Sequence, residues 1–299
     1  MRWMGVLSLS CLLFAGAIAR CESDDLDTQL MLNTFKISNA KSNATVWALA
    51  LPAPDACVIL VSAAHVFTKM EGDEATLNLR KKDSKDEDLW IQAPVKIKIR
   101  NEGKALWTKH PDADVAVMRY ATPLGLCLTG VPLELLATDE ILKQYEIHPG
   151  DTLKCTGYPH PVQFNSGSAW FPIVRQGCIA GFPLTPMSKY KTFIADINVF
   201  EGNSGGAFYF TDSNRFYNGK TQSGRVQFII GLLSEQHFLN DKYETAYESG
   251  TFKHRLGLGV VVNAKMIRET IDLLKKSEPQ VPLSSVSTDA KEVHSAKKQ

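Results

Sequence analysis

The sequence has almost no net charge. Its 299 residues include 33 basic and 32 acidic side chains, a formal +1. That balance supplies no field to draw in nucleic acid or an anionic membrane surface. Metal-binding cysteine patterns are missing too: the six cysteines form no CxxC pair and no Cys/His cluster with zinc spacing. There is no internal repeat. The one long apolar run, at the N-terminus, stops short of the roughly 20 residues that a membrane span needs. These gaps leave a protein of ordinary globular composition, 44% hydrophobic and 22% charged.

The N-terminal run has the shape of an export signal. Arg2 is a short basic start, and the fifteen residues Gly5–Ala19 are uncharged and mostly apolar. Ala17-Ile18-Ala19 offers small residues at both positions a signal peptidase reads, so cleavage is expected after Ala19. The alternative is a lipid-modified Cys21, for which Arg20 is a poor preceding residue. Either way the mature chain is expected outside the cytosol, secreted or in a periplasmic or cell-envelope space. Five cysteines then remain: Cys21, Cys57, Cys127, Cys155 and Cys178. In a compartment that permits disulfides, this odd number leaves at least one thiol free or paired outside the chain, and Cys155–Cys178 is a candidate bridge.

From Thr45 to about Val262 short strand-like segments follow one another with little helix between them. Cys57–Ser62 (CVILVS) is a continuous apolar run, as in a core strand, whereas Val95–Arg100 (VKIKIR) alternates, as in a half-buried one. Thr45–Leu51, Val115–Arg119, Thr192–Asn198, Gly206–Phe210 and Val226–Leu232 complete the series. Such a chain is all-β. The mixed-charge stretch Lys69–Asp88 reads as a solvated loop broken by a short strand at Thr76–Leu79. Asn43-Ala44-Thr45 fits the glycan acceptor triplet, a pattern frequent by chance. Asn263 is a good N-cap for a late helix with Met266, Ile267, Ile271, Leu273 and Leu274 on one stripe, ending at Lys275-Lys276. Ser277–Gln299 has the composition of a disordered tail and is too short for a further folded domain.

Three segments carry chemistry. In Ser62-Ala63-Ala64-His65-Val66, small residues after a core strand let the chain turn and present an imidazole. In Asp112-Ala113-Asp114-Val115-Ala116-Val117, Asp114 directly precedes an apolar strand. Its carboxylate would be carried inward, where it needs a partner such as a histidine N–H. In Glu201-Gly202-Asn203-Ser204-Gly205-Gly206, glycines flank one serine and permit backbone conformations closed to other residues. The N–H groups of Gly202 and Ser204 are then candidates to converge as an oxyanion hole. The order is His, Asp, Ser, with gaps of 49 (114 − 65) and 90 (204 − 114) residues.

That order is the one used by chymotrypsin-fold peptidases. SAAHV resembles the histidine motif of that trypsin-like serine peptidase family, DADVAV its aspartate motif, and GNSGG its nucleophile motif. Thr156-Gly157-Tyr158-Pro159, Asp196, Ile229-Ile230-Gly231-Leu232 and Leu256–Val262 are similar in order to the HtrA-like subgroup. The resemblance covers about residues 40–276. It implies two six-stranded antiparallel β-barrels, split near 125–150, with a C-terminal helix. The C-terminal PDZ domain usual in that subgroup is not expected here, a departure, since the chain has no room for one.

It also implies a serine endopeptidase with the triad His65, Asp114 and Ser204, acting on a protein or peptide with no cofactor. The primary specificity pocket is expected at Asn198, Leu232, Leu233, Ser234, Glu235 and Gly259. None of these supplies a deep acid for Lys/Arg selection, so an uncharged or aliphatic residue before the scissile bond is expected. Asn203 stands where animal digestive members have an aspartate that receives a freed N-terminus, so activation by that ion pair is not expected. Phe200 and Glu201 also depart from the subgroup's pattern beside the motif. The alternatives are a catalytically inactive binding protein on the same barrels and an esterase using the same triad.

Overall fold

A computed structural model of the chain describes residues 25–40, 42–123, 126, 128–159, 165, 166, 169–245 and 247–277. The export signal, Cys21, Cys127 and the tail after Ser277 lie outside the described residues. Two β lobes follow one another. The first holds β1 (Thr34–Ser38), β2 (Asn43–Leu51), β3 (Cys57–Ser62), β4 (Glu74–Lys82), β5 (Trp90–Lys98), β6 (Thr108–Lys109), β7 (Ala116–Tyr120) and β8 (Val131–Pro132). They form one eight-stranded sheet in the order β5-β4-β1-β2-β3-β7-β6, with β8 pairing β2. The second lobe holds β9 (Thr152–Gly157), β10 (Ile173–Ile179), β11 (Thr192–Asp196), β12 (Ala207–Asp212), β13 (Val226–Glu244) and β14 (Ser249–Asn263). It closes as a six-stranded barrel, β9-β10-β11-β14-β13-β12. The all-β architecture with a C-terminal helix is thus as expected. The count of six describes the second lobe, while the first is larger and its hydrogen-bonded path is not closed.

Hydrophobic patterning explains which strands are central. CVILVS forms β3, whose residues Ile59 to Ser62 are all buried between β2 and β7. VKIKIR lies largely in β5 at the sheet edge, with Ile97 inward and Lys96 and Lys98 exposed. Edge lysines of this kind discourage pairing with another chain. Helix α3 (Ala264–Ser277) starts as expected: the Met266 N–H donates to Asn263 Oδ1 at 3.3 Å. Met266, Ile267, Ile271 and Leu274 are buried, and the helix packs on β6 and β7 of the first lobe and on β13 of the second.

Three expectations need correction. First, the fold starts before residue 40: helix α1 (Leu26–Asn33) leads into β1, with Leu26 and Leu30 fully buried. Eight residues with two apolar anchors give little periodicity to detect. Second, Lys69–Asp88 is not a loop with a four-residue strand. It contains the nine-residue β4, paired along its whole length with β5. Its charged letters concealed Arg80, which is 2% exposed. The Arg80 guanidinium donates to the carbonyls of Met31, Leu32, Thr34 and Trp170 and to Tyr158 Oη, at 2.7–3.0 Å. It therefore caps the C-terminus of α1, where a cation is favoured, and ties both lobes to it.

Third, Cys155 and Cys178 are free thiols. On the β9–β10 ladder Cys155 lies opposite Arg175 while Cys178 lies opposite Thr152. That offset of three residues is about 10 Å, beyond the reach of a disulfide. Burial pushes the Cys155 thiol well above its ordinary value, with Arg175 opposing weakly.

Candidate active site

The catalytic candidates meet where the two lobes join. β3 and β7 are neighbours with Ser62 opposite Ala116, so the end of one strand and the start of the other lie together. After Ser62 the chain turns through the buried Ala63 into helix α2 (Ala64–Lys69), which places His65 on its first turn. Asp114 sits two residues before β7 and faces it. His65 Nδ1 lies 2.7 Å from Asp114 Oδ2, and the His65 backbone N–H donates to Asp114 Oδ1 at 2.9 Å. An ionised carboxylate only accepts, so Nδ1 carries the proton of this bond, and in the neutral ring the free lone pair is the one on Nε2. Both side chains are a little over one quarter exposed, at 29% and 27%.

A third donor comes from the other lobe: Ser234 Oγ donates to Asp114 Oδ2 at 2.6 Å. Burial by itself pushes the Asp114 carboxyl up. The hydrogen bonds from the His65 ring, Ser234 and the His65 backbone outweigh it and hold Asp114 below its ordinary value. Ser234 was expected as a pocket wall, and its bond to Asp114 had no signal in the sequence.

Ser204 lies in the loop between β11 and β12. Gly202 and Gly205 have φ of 93° and 88°, which a side chain would resist. A Cβ on Gly205 would also stand 2.1 Å from Ser62 Oγ and 2.3 Å from the Thr45 carbonyl. The loop is thus pressed against the first lobe, and glycine is what fits there. Four hydrogen bonds fix it: Thr45 N–H to Ser204 O at 3.0 Å, Thr45 Oγ1 to Gly202 O at 2.7 Å, Gly205 N–H to Leu233 O at 2.7 Å, and Leu233 N–H to Gly206 O at 2.9 Å. Thr45 Oγ1 in turn accepts from the Tyr158 N–H at 3.0 Å. The N–H groups of Asn203, Gly205 and Gly206 are engaged inside the protein, whereas those of Gly202 and Ser204 donate to no described group.

A cleft of about 850 Å³ brings His65, Asp114 and Ser204 onto one surface. No hydrogen bond joins Ser204 to His65 among the described residues. Of the expected specificity residues, Leu233, Ser234 and Glu235 line this cleft. The other three are not on its wall. Leu232 is fully buried on the alternate side of β13, Gly259 lies against Leu233, and Asn198 is exposed beside Gly257. Val199, Phe200, Glu201 and Lys69 take wall positions, as do Gln236, Phe238 and Lys253 from the β13–β14 hairpin. The hairpin residues went unread because they sit in a polar stretch with no motif. Among the described residues no group of three or more His, Cys, Asp or Glu is placed to hold a metal ion, and no helix is long and apolar enough to cross a membrane.

Two β lobes, with a His–Asp pair on the first and a glycine-flanked serine on the second, make this a chymotrypsin-like double-lobed β protein. No family model and no curated protein matches the sequence. Among solved structures the chain is similar to an inactive serine-to-alanine mutant of Rv3671c from M. tuberculosis H37Rv, with a TM-score of 0.43 and 15% identity, covering 93% of this chain and 99% of that one. It is also similar to the protease Anisep from Arthrobacter nicotinovorans, with a TM-score of 0.45 and 15% identity, covering 83% and 97%. Likeness of this degree assigns no reaction, which has to be argued from the chain's own residues.

Proposed function

We propose that the protein is a serine endopeptidase acting outside the cytosol. The observation that carries this reading is the His65–Asp114 pair at 2.7 Å, on the same cleft as Ser204. Ser204 Oγ attacks a peptide carbonyl and passes its proton to His65 Nε2. Asp114 keeps Nδ1 protonated and stabilises the imidazolium that forms. The N–H groups of Gly202 and Ser204, with no protein acceptor among the described residues, donate to the oxyanion of the tetrahedral intermediate. His65 then protonates the leaving amine, and water, deprotonated by His65, releases the acyl-enzyme. The Ser204–His65 contact tightens as substrate is held, as catalytic pairs commonly do.

The missing Ser204–His65 hydrogen bond also suits a non-catalytic binding protein, which is the second reading. Treating the purified protein with a fluorophosphonate probe, beside Ser204→Ala and His65→Ala, separates the two. Labelling of wild type, lost in both variants and accompanied by peptide cleavage, is the expected result. A well-folded wild type that neither labels nor cleaves peptide would overturn the peptidase reading.

A further inference from the structure

Past Ser234, β13 leaves the barrel. Its pairing with β12 ends at Leu232, and β14 meets β11 only from Leu258. The two strands nevertheless stay paired with each other out to Glu244 and Ser249. Residues 238–244 and 249–255 therefore form a two-stranded arm. The edge of β13 turned away from β14 has no partner strand beyond Leu233 among the described residues, so its main-chain groups are open. This edge starts in the cleft: Ser234 bonds Asp114, and Gln236 and Phe238 line the wall.

The arm's two faces differ in chemistry. Phe238 lies opposite Arg255, Asn240 opposite Lys253 and Lys242 opposite Thr251, which places these residues on one face. That face looks towards the cleft: Phe238 and Lys253 line it, and the Arg255 guanidinium is 4.6 Å from the Phe200 ring centroid. Lys253 Nζ lies 3.9 Å from the Phe238 ring centroid. Three cations, Lys242, Lys253 and Arg255, thus share this face, with Glu244 near the tip as its carboxylate. None of the three is in an ion pair among the described residues. Asp241 belongs to the opposite face, 3.9 Å from His254.

We infer that this arm recognises an extended, acidic stretch of a polypeptide substrate, which adds to the open edge of β13 as an antiparallel strand. The inference rests on the peptidase reading and names the substrate feature that reading leaves open. β13 pairs antiparallel with both its neighbours and runs outward from the cleft. A strand added in the same sense reaches Ser204 by its C-terminal end, so the arm takes residues upstream of the scissile bond. Main-chain hydrogen bonds supply sequence-independent affinity, and alternate side chains fall on the cationic face. Glu201 and Glu235 line the cleft near Ser204 and disfavour acids there. The acidic preference therefore starts roughly four residues upstream, at one substrate residue per strand residue.

The test uses fluorogenic peptides with one common core, extended upstream or downstream by alternating Glu, Gln or Lys. Upstream Glu is expected to raise kcat/KM about tenfold over upstream Gln at low salt, through KM, as two or three exposed ion pairs at about two- to fivefold each would. The gain should shrink at high salt. Lys242→Gln with Lys253→Gln should flatten the preference, and Lys242→Glu with Lys253→Glu should transfer it to Lys-extended peptides. Equal turnover of Glu and Gln extensions would overturn the inference, as would an equal gain downstream or a preference unmoved by charge reversal. Fluorophosphonate labelling keeps this failure distinct from failure of the peptidase reading. If labelling fails, anisotropy of the tagged peptides on the Ser204→Ala protein tests the arm alone: tighter binding of upstream Glu than Gln supports it, and equal binding overturns it.

Discussion

Thr45 is the sharpest place to test whether the first lobe shapes the nucleophile loop of the second. Its side chain is fully buried, its hydroxyl donates to Gly202 O at 2.7 Å, and it accepts from the Tyr158 N–H at 3.0 Å. Thr45→Val keeps the shape and removes both bonds. Each buried partner left without a hydrogen bond costs about 1–3 kcal/mol, so with two such partners the variant should lose about 2–6 kcal/mol, a large part of a typical 5–15 kcal/mol. Thr45 N–H to Ser204 O and Gly205 N–H to Leu233 O survive, so the loop should shift without collapsing. Loss of one oxyanion donor costs about 10²–10³ in kcat. Misalignment of Gly202 should cost part of that, about tenfold. Urea unfolding and peptide kinetics measure the two effects, with Thr45→Ser as the control that keeps the hydroxyl. An unchanged urea midpoint and kcat in Thr45→Val would refute the argument, as would a Thr45→Ser variant equally damaged.

Ser234→Ala removes one of the bonds that hold the Asp114 carboxyl below its ordinary value, so the Asp114 pKa should rise. A depressed carboxyl keeps its ion pair above the unfolded value and loses it as pH falls through the folded one. Acid unfolding should therefore begin at higher pH in the variant, with about a tenfold loss of kcat/KM at neutral pH for a bond to a charged group; an acid-unfolding midpoint and a kcat/KM that both stay put would count against Ser234 as a positioning residue. Arg80→Met removes the donor from the Met31 and Leu32 carbonyls and leaves those of Thr34 and Trp170 only the single Tyr158 hydroxyl, and should destabilise by about 3–5 kcal/mol. Arg80→Lys should recover little, because an ammonium has three donors and no fork. A urea midpoint near wild type in Arg80→Met would show that the two lobes do not depend on this cation.

What was legible in the sequence was local. An apolar strand ending in small residues, a carboxylate just before another strand and a serine between glycines are each written within a few letters, and the structure brings all three to one cleft. What was illegible depends on partners far away along the chain. Thr45 looked like the last letter of a glycan triplet, yet its contacts are 113 and 157 residues distant. Arg80 sat in a run whose mixed charges read as solvent-facing, although it is buried among carbonyls that no local pattern announces. The arm was missed for the opposite reason. Phe238 to Phe252 has too few buried positions for hydrophobic periodicity to mark it as strand, because a two-stranded ribbon outside the barrel has little core to face.

These long-range contacts share a location, and it ties stability to chemistry. His65 and Asp114 come from the first lobe, Ser204 and Ser234 from the second, and Thr45, Arg80 and α1 cross between them. Helix α1 adds its own crossing: Asp27 accepts from Lys154 Nζ and Tyr209 Oη, each at 2.8 Å, on the barrel side. A change that loosens the seam therefore moves Ser234 away from Asp114 and Gly202 away from its anchor together. Effects of seam substitutions should be coupled and not additive, as expected of residues sharing one network. A double Thr45→Val, Ser234→Ala variant should lose less activity than the product of the two single losses, since either change already frees the two halves of the site to drift apart. Independent, multiplicative losses would mean that each lobe keeps its part of the site rigid alone.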